Sequence, residues 1–200
     1  MNYPKIIQSL IDCFKKIPGV GEKTAERYVL SLLDMDDDVL NEFADHLKNL
    51  KHKIVRCKVC HNLSEGEICD ICKDTTRDHS TICVVEEPKN VFSFEKAGTY
   101  LGTYHVLDGL ISPLEGIRPE NINIASLLER VEKESIKEVI IAVKACVEGE
   151  TTAMYIAKKL ENKNVKVSKI AYGIPLGADM GYIDASTLEI SLENRQQIHN

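Results

Sequence analysis

The sequence predicts an α+β chain made of several segments in series: a helical N-terminal region, a short cysteine-bound ribbon, a larger α/β domain with a mostly parallel sheet, and a C-terminal tail. Three observations predict it. Apolar residues recur at helical spacing through the first 56 residues, four cysteines punctuate residues 57 to 80, and from residue 81 short apolar strands alternate with amphipathic helices. The expected boundaries are therefore 1–56, 57–80, 81–172 and 173–200. With 44% hydrophobic side chains in 200 residues, the chain can bury one main core and smaller satellites, which excludes a disordered protein.

In the first region Ile6, Ile7, Leu10, Ile11 and Phe14 mark one amphipathic helix and Ala25, Tyr28, Val29, Leu32 and Leu33 a second. Val39, Leu40, Phe43, Leu47 and Leu50 mark a third. Between the first two lies IPGVGEK, where Gly19 and Gly21 permit a sharp turn and let backbone N–H groups approach a phosphate at the positive end of the second helix. Lys23 and Arg27 are four residues apart and so share one face of that helix. This is a helix-hairpin-helix pattern, which holds the nucleic-acid backbone without reading bases. A plain corner in a helical core is the competing reading. One hairpin makes few phosphate contacts, so useful affinity calls for several copies.

The net charge of −6 argues weakly against a nucleic-acid partner, but its distribution is uneven. Residues 46–64 hold Lys48, Lys51, Lys53, Arg56 and Lys58 with no acid, whereas residues 34–38 read DMDDD. The basic run is either a phosphate-binding surface or a solvated face.

Cys57, Cys60, Cys69 and Cys72 form two CxxC pairs separated by eight residues. Each pair can bend two thiolates onto one ion, and four thiolates complete a closed tetrahedral zinc site with no open position, so the zinc is structural. Redox-active pairs are the alternative. His61 and His79 are surplus to the ligand count and are expected at the surface or beside the site. Cys13 and Cys83 lie in apolar runs and are expected in the core.

In the α/β region ICVVEE, GTYHVLDG, IKEVIIAV and VKVSKIAYG read as strands, and NVFSFEKAG, IASLLERVEKE and ETTAMYIAKKLENKN as helices. Glu86 ends the first of these strands, where α/β sheets place ligands, and Glu148 and Glu150 follow the third. Three carboxylates aimed at one space could bind Mg²⁺. Alternatively the two later glutamates are helix N-terminal acids favoured by the macrodipole, with Thr151 and Thr152 as caps. Cys146 has no evident base beside it and reads as a buried or half-buried structural residue; Tyr100, Tyr104 and His105 read as packing residues. The glycine- and proline-broken loop LDGLISPLEGIRP is longer than a plain connector and suggests a binding or interface role. No catalytic residue is assigned. No segment has the roughly 18 apolar residues of a membrane span, and the N-terminus has no apolar export region, so a soluble cytoplasmic protein is expected.

The order of these parts resembles the bacterial recombination mediator family RecR over essentially the full chain. The residues that carry the resemblance are IPGVGEKTAERYVLSLL, the two CxxC pairs, ICVVEEP, GTYHVLDGLISPLEGIRPENI, VEGETTAMYIA and IAYGIPLGADMGYIDASTL. It implies that the α/β portion is a Toprim domain and that the chain is a non-enzymatic DNA-repair factor binding single- and double-stranded DNA at the nucleoid. It further implies action with RecO, in some settings RecF, to load RecA onto single strands coated by single-strand-binding protein. Family members are similar in forming ring-like tetramers, which would supply several hairpins. By the same resemblance Lys23 and Arg27 contact DNA, Glu148 and its neighbours lie on the surface used with RecO, and the tail from Gly177 to Asp184 is a Walker-B-like segment near subunit contacts. Many relatives carry Asn-Pro-Thr where this chain has Lys144, Ala145 and Cys146, which alters the loop before the acidic pair. The rival is a Mg²⁺-dependent Toprim enzyme acting on phosphodiester bonds. Such enzymes use an acid plus Asp-x-Asp, replaced here by Glu-Gly-Glu, and 200 residues leave little room for the accessory domains of a topoisomerase or primase.

Overall fold

The computed structural model describes residues 3–195 and 197. The chain divides into two compact units, Met1–Lys53 and Ile54–Asn200.

In the first unit, helix α1 (Lys5–Phe14) and helix α2 (Glu22–Leu33) enclose a small core of Ile11, Ala25 and Val29, flanked by Ile7, Phe14 and Val20. Phe14 meets Tyr28 edge to face with ring centroids 5.8 Å apart. Cys13, expected in the core, is exposed. It lies two residues beyond Ile11, about 200° around the helix, and therefore on the opposite face. Helix α3 (Asp37–Lys53) opens on Asp37 and Asp38 and closes on Lys51, His52 and Lys53, a charge order that complements its dipole. None of its residues is buried, and Val39, Phe43, Leu47 and Leu50 stand exposed.

The second unit starts with the ribbon. Strand β1 (Val55–Arg56) pairs antiparallel with β2 (Leu63–Ser64), followed by the short helix α4 (Asp70–Lys73). Val55 and Arg56 are thus ribbon strand and not the end of the helical region. β-Branched Ile54 and Val55 break the helix, and the backbone turns back so that the Cys57 N–H reaches the Asn62 carbonyl at 2.8 Å.

The main sheet contains β3 (Asp78–Val85), β4 (Gly102–Val106), β5 (Glu138–Ala142) and β6 (Lys166–Lys169) in the order β4-β3-β5-β6. Every pairing is parallel. Helices α5 (Pro88–Ala97), α6 (Ile124–Lys133) and α7 (Val147–Leu160) make the crossovers. The period of two along β3 sends Ile82 and Val84 into a core with Leu127 of α6 and Ile156 and Leu160 of α7. Cys83 and Val85 point the other way, against Val91 of α5, Tyr104 and Val106. The ribbon's Ile71 joins this second core. After β6 the chain runs largely exposed to a last helix, α8 (Ala185–Glu193), capped by the Asp184 carboxylate, which accepts from the Thr187 N–H at 2.9 Å. Leu176, Met180 and Tyr182 of this tail are exposed.

Candidate functional site

The hairpin between α1 and α2 is built by its glycines. Gly19 adopts φ +83°, a left-handed conformation that a side chain resists. Gly21 forms the N-cap of α2 with no capping side chain, and a Cβ placed on it would meet nothing within 4 Å. The N–H groups at the start of α2 consequently face open space at the positive end of the helix. The acid there, Glu22, is neutralised by Lys15 at 2.7 Å. Lys23 and Arg27 are exposed, and among the described residues neither has an acidic partner; the Arg27 guanidinium lies 5.7 Å from the Tyr28 ring centroid. Donors, dipole and unpaired cations converge on one surface suited to a phosphate.

In the ribbon, the ligand atoms of Cys57, Cys60, Cys69 and Cys72 lie within 4.8 Å of one another. Cys57, Cys60 and Cys69 are buried. The Cys69 N–H donates to Cys57 Sγ at 3.3 Å, as expected for a sulfur that carries negative charge. Without a cation the four thiols cannot all ionise: the Cys60 thiol is pushed well above its ordinary range, first by its hydrogen bond with Cys69 and further by burial. A divalent ion removes that conflict, and the donor set fits zinc in a closed tetrahedron, where it holds the two knuckles together and leaves no position for a substrate. His61 stands beside the site. Its Nε2 lies 2.8 Å from Ser126 Oγ, and its ring meets that of fully buried His105 edge to face. His79 is exposed and bonds the Asp74 carbonyl.

The acidic corner sits at the switch in strand order. The connection after β3 leads to one side of the sheet and that after β5 to the other, so the crevice between their C-terminal ends is flanked by Glu86 and by residues 144–150. Val85 registers with Ala142, which brings Glu86 beside the start of that loop. Glu148 and Glu150 occupy the first turn of α7. The Glu148 carboxyl is held below its usual range by a hydrogen bond from its own N–H, then by Cys146 and the charge of Lys144. Glu150 is paired with Lys169 at 2.8 Å, a partner across the sheet edge that no local pattern announced. Among the described residues, the four cysteines are the one group of three or more metal-ligating side chains drawn together; Glu86, Glu148 and Glu150 are near one crevice without forming such a group.

Thr151 and Thr152 do not cap α7. Each hydroxyl bonds back to a carbonyl four residues earlier, Val147 and Glu148 respectively. The N-cap is Cys146, half-buried against the main core. Thr152 Oγ1 also accepts the Ile111 N–H at 2.9 Å and so seats the long loop after β4 on α7, a role its sequence position did not signal. That loop turns through left-handed Asp108 and closes a small bridge between Ser112 and Ile117, with Leu114 exposed at its tip.

A glycine-turned helical hairpin, a four-cysteine ribbon and a parallel α/β sheet with acids at its switch point define a zinc-ribbon protein of the Toprim class. Each part matches a known family description: the RecR helix-hairpin-helix over residues 7–51, the RecR four-cysteine zinc finger domain over 54–74, the Toprim domain over 80–171 and the RecR C-terminal region over 173–196. The Recombination protein RecR of Ligilactobacillus salivarius (strain UCC118) is 49% identical over 199 residues, spanning 99% of this chain and 100% of that protein. The chain belongs to the RecR family.

Proposed function

We propose that this protein is a DNA-binding mediator of recombinational repair that acts as a scaffold and not as an enzyme. The observation that carries the reading is the start of α2, where open Gly21 and free N–H groups stand beside Lys23 and Arg27, both without acidic partners among the described residues. Such a surface grips the backbone of single- or double-stranded DNA independently of sequence. The exposed apolar stripe of α3 and the exposed tail residues Leu176 and Tyr182 support assembly with further copies, in keeping with a ring-like tetramer that multiplies the hairpins. On this reading Glu148 and its neighbours dock RecO, RecF joins in some settings, and the complex promotes RecA loading onto single strands in the cytoplasm.

A Mg²⁺-dependent Toprim enzyme is the second reading, motivated by Glu86, Glu148 and Glu150 around one crevice. The pairing of Glu150 with Lys169 weighs against it, because the ammonium already supplies the charge that a cation would have to displace. Two measurements separate these readings. Lys23→Glu with Arg27→Glu should abolish salt-dependent binding to short single- and double-stranded DNA while zinc content and helical circular dichroism stay at the parent level. Undiminished binding would overturn the hairpin assignment. Incubation of the parent protein with Mg²⁺ and labelled duplex or nicked DNA should leave the strands intact, and protein-dependent cleavage would favour the enzyme.

A further inference from the structure

Strand β4 lies at one edge of the main sheet, yet all five of its residues are buried. The opposite edge strand, β6, exposes Lys166 and Lys169. An open edge presents unpaired N–H and C=O groups, so something must satisfy those of β4. In a parallel pair alternate residues of a strand face the neighbour. The Leu107 N–H donates to the Val85 carbonyl, so Gly102, Tyr104 and Val106 face outward. The three outward carbonyls and the Val106 N–H are met. Arg77 Nη1 donates to the Gly102 carbonyl at 3.1 Å, and Arg130 Nη1 to the Tyr104 carbonyl at 2.8 Å. The Val106 N–H donates to the carbonyl of Cys60 at 2.8 Å, and Asn123 Nδ2 to the Val106 carbonyl at 3.1 Å.

Cys60 belongs to the zinc ribbon, and two further bonds tie that ribbon to the same place. Arg56 Nη2 reaches Asp108 Oδ1 at 2.8 Å while its Nη1 holds the His61 carbonyl at 3.0 Å. His61 in turn meets Ser126 at the start of α6. Asp108 is a non-glycine residue at φ +61°, a conformation that persists only where its surroundings impose it. Here they do: its N–H donates to the Glu86 carbonyl at 2.9 Å, and its carboxylate accepts from both Arg56 and Asn123. Three residues on, the buried Ile111 N–H donates to Thr152 Oγ1, and Thr152 Oγ1 donates to the Glu148 carbonyl at 2.7 Å.

We infer that the zinc ribbon is a clamp on the β4 edge of the sheet, and that its closure sets the 106–111 segment and, through Thr152, the first turn of α7 that carries Glu148 and Glu150. The inference rests on the structural zinc site and extends it. Zinc loading governs the shape of the acidic corner, some distance along the chain from any zinc ligand, as well as the ribbon itself. A partner that docks on Glu148 therefore meets a surface whose order depends on the metal.

Amide hydrogen exchange on the full-length protein tests this, with zinc bound, after removal by a chelator under reducing conditions, and after zinc is restored. Zinc content is measured in parallel. Removal should accelerate exchange by about tenfold or more in residues 103–112 and 147–152, leave α1 and α2 unchanged, and reverse on zinc addition. Acceleration confined to residues 54–77 would overturn the clamp while leaving the zinc site standing. A purified protein with no zinc, and no response to the chelator, would instead overturn the zinc site. Should the metal-free second unit unfold as a whole, Arg56→Ala with zinc retained decides. It should speed exchange in both 106–109 and 147–152, and an effect that stops at residue 64 would refute the link.

Discussion

Gly149 separates the two glutamates of the acidic corner, and replacing it with alanine tests how that corner is built. A Cβ at this position would stand 1.9 Å from the Lys144 carbonyl oxygen and 3.1 Å from its carbon. The obstacle is backbone, so it cannot rotate aside as a side chain would. Lys144 O also accepts the Cys146 N–H at 3.0 Å in the turn that starts α7, so retreat by the required distance of about 1 Å disturbs the helix start as well. Overpacking of this kind costs about 1–3 kcal/mol, and a rigid obstacle places it at the upper end. The opposing gain is helix propensity, about 1 kcal/mol for alanine over glycine. A net loss of about 2 kcal/mol remains, which for a protein of this size lowers Tm by about 4–8 °C. Differential scanning calorimetry of the zinc-loaded variant and parent measures it. An unchanged or raised Tm would mean that propensity prevails and that residues 144–146 are not seated against α7, which would refute the description of the corner.

Two further outcomes are expected. Gly19→Ala meets no steric obstacle, yet forcing a side chain to φ +83° should cost about 1–2 kcal/mol, visible as earlier urea unfolding of the helical signal and weaker DNA binding. His105 is fully buried with Nδ1 unpartnered, and burial pushes its pKa down to about 3. The folded state therefore refuses a proton that the unfolded state accepts. The stability held above about pH 6.5 is lost as pH falls toward 3, by up to about 1.4 kcal/mol per unit. In His105→Gln, urea midpoints at pH 7 and pH 5.5 should differ less than in the parent, and an equal difference would assign the acid sensitivity elsewhere.

What was legible in the chain was legible for local reasons. The ligand spacing of Cys57, Cys60, Cys69 and Cys72 encodes its own geometry, because each CxxC is a single turn that aims two sulfurs at one point. Gly19 and Gly21 likewise carry their turn within a few residues. The alternation of apolar strands and amphipathic helices after residue 81 announced a parallel sheet, and the sheet is parallel throughout. Local reading failed where a residue's role depends on what faces it. Cys13 sits in an apolar run but on the solvent side of α1, and Thr152 looked like a cap although it bonds a loop 41 residues away in sequence.

By itself, then, the sequence determined the order of parts, the four clustered cysteines and the glycine-turned hairpin, all of which depend on spacings that the backbone converts directly into shape. Only the tertiary structure decided that Glu150 is neutralised by Lys169, that Arg56 holds Asp108, and that the Cys60 carbonyl closes the edge of β4. The physical reason is common to all three. Charge pairing and hydrogen bonding act over about 3 Å, and which groups come that close is set by strand order and crossovers, which no local periodicity encodes.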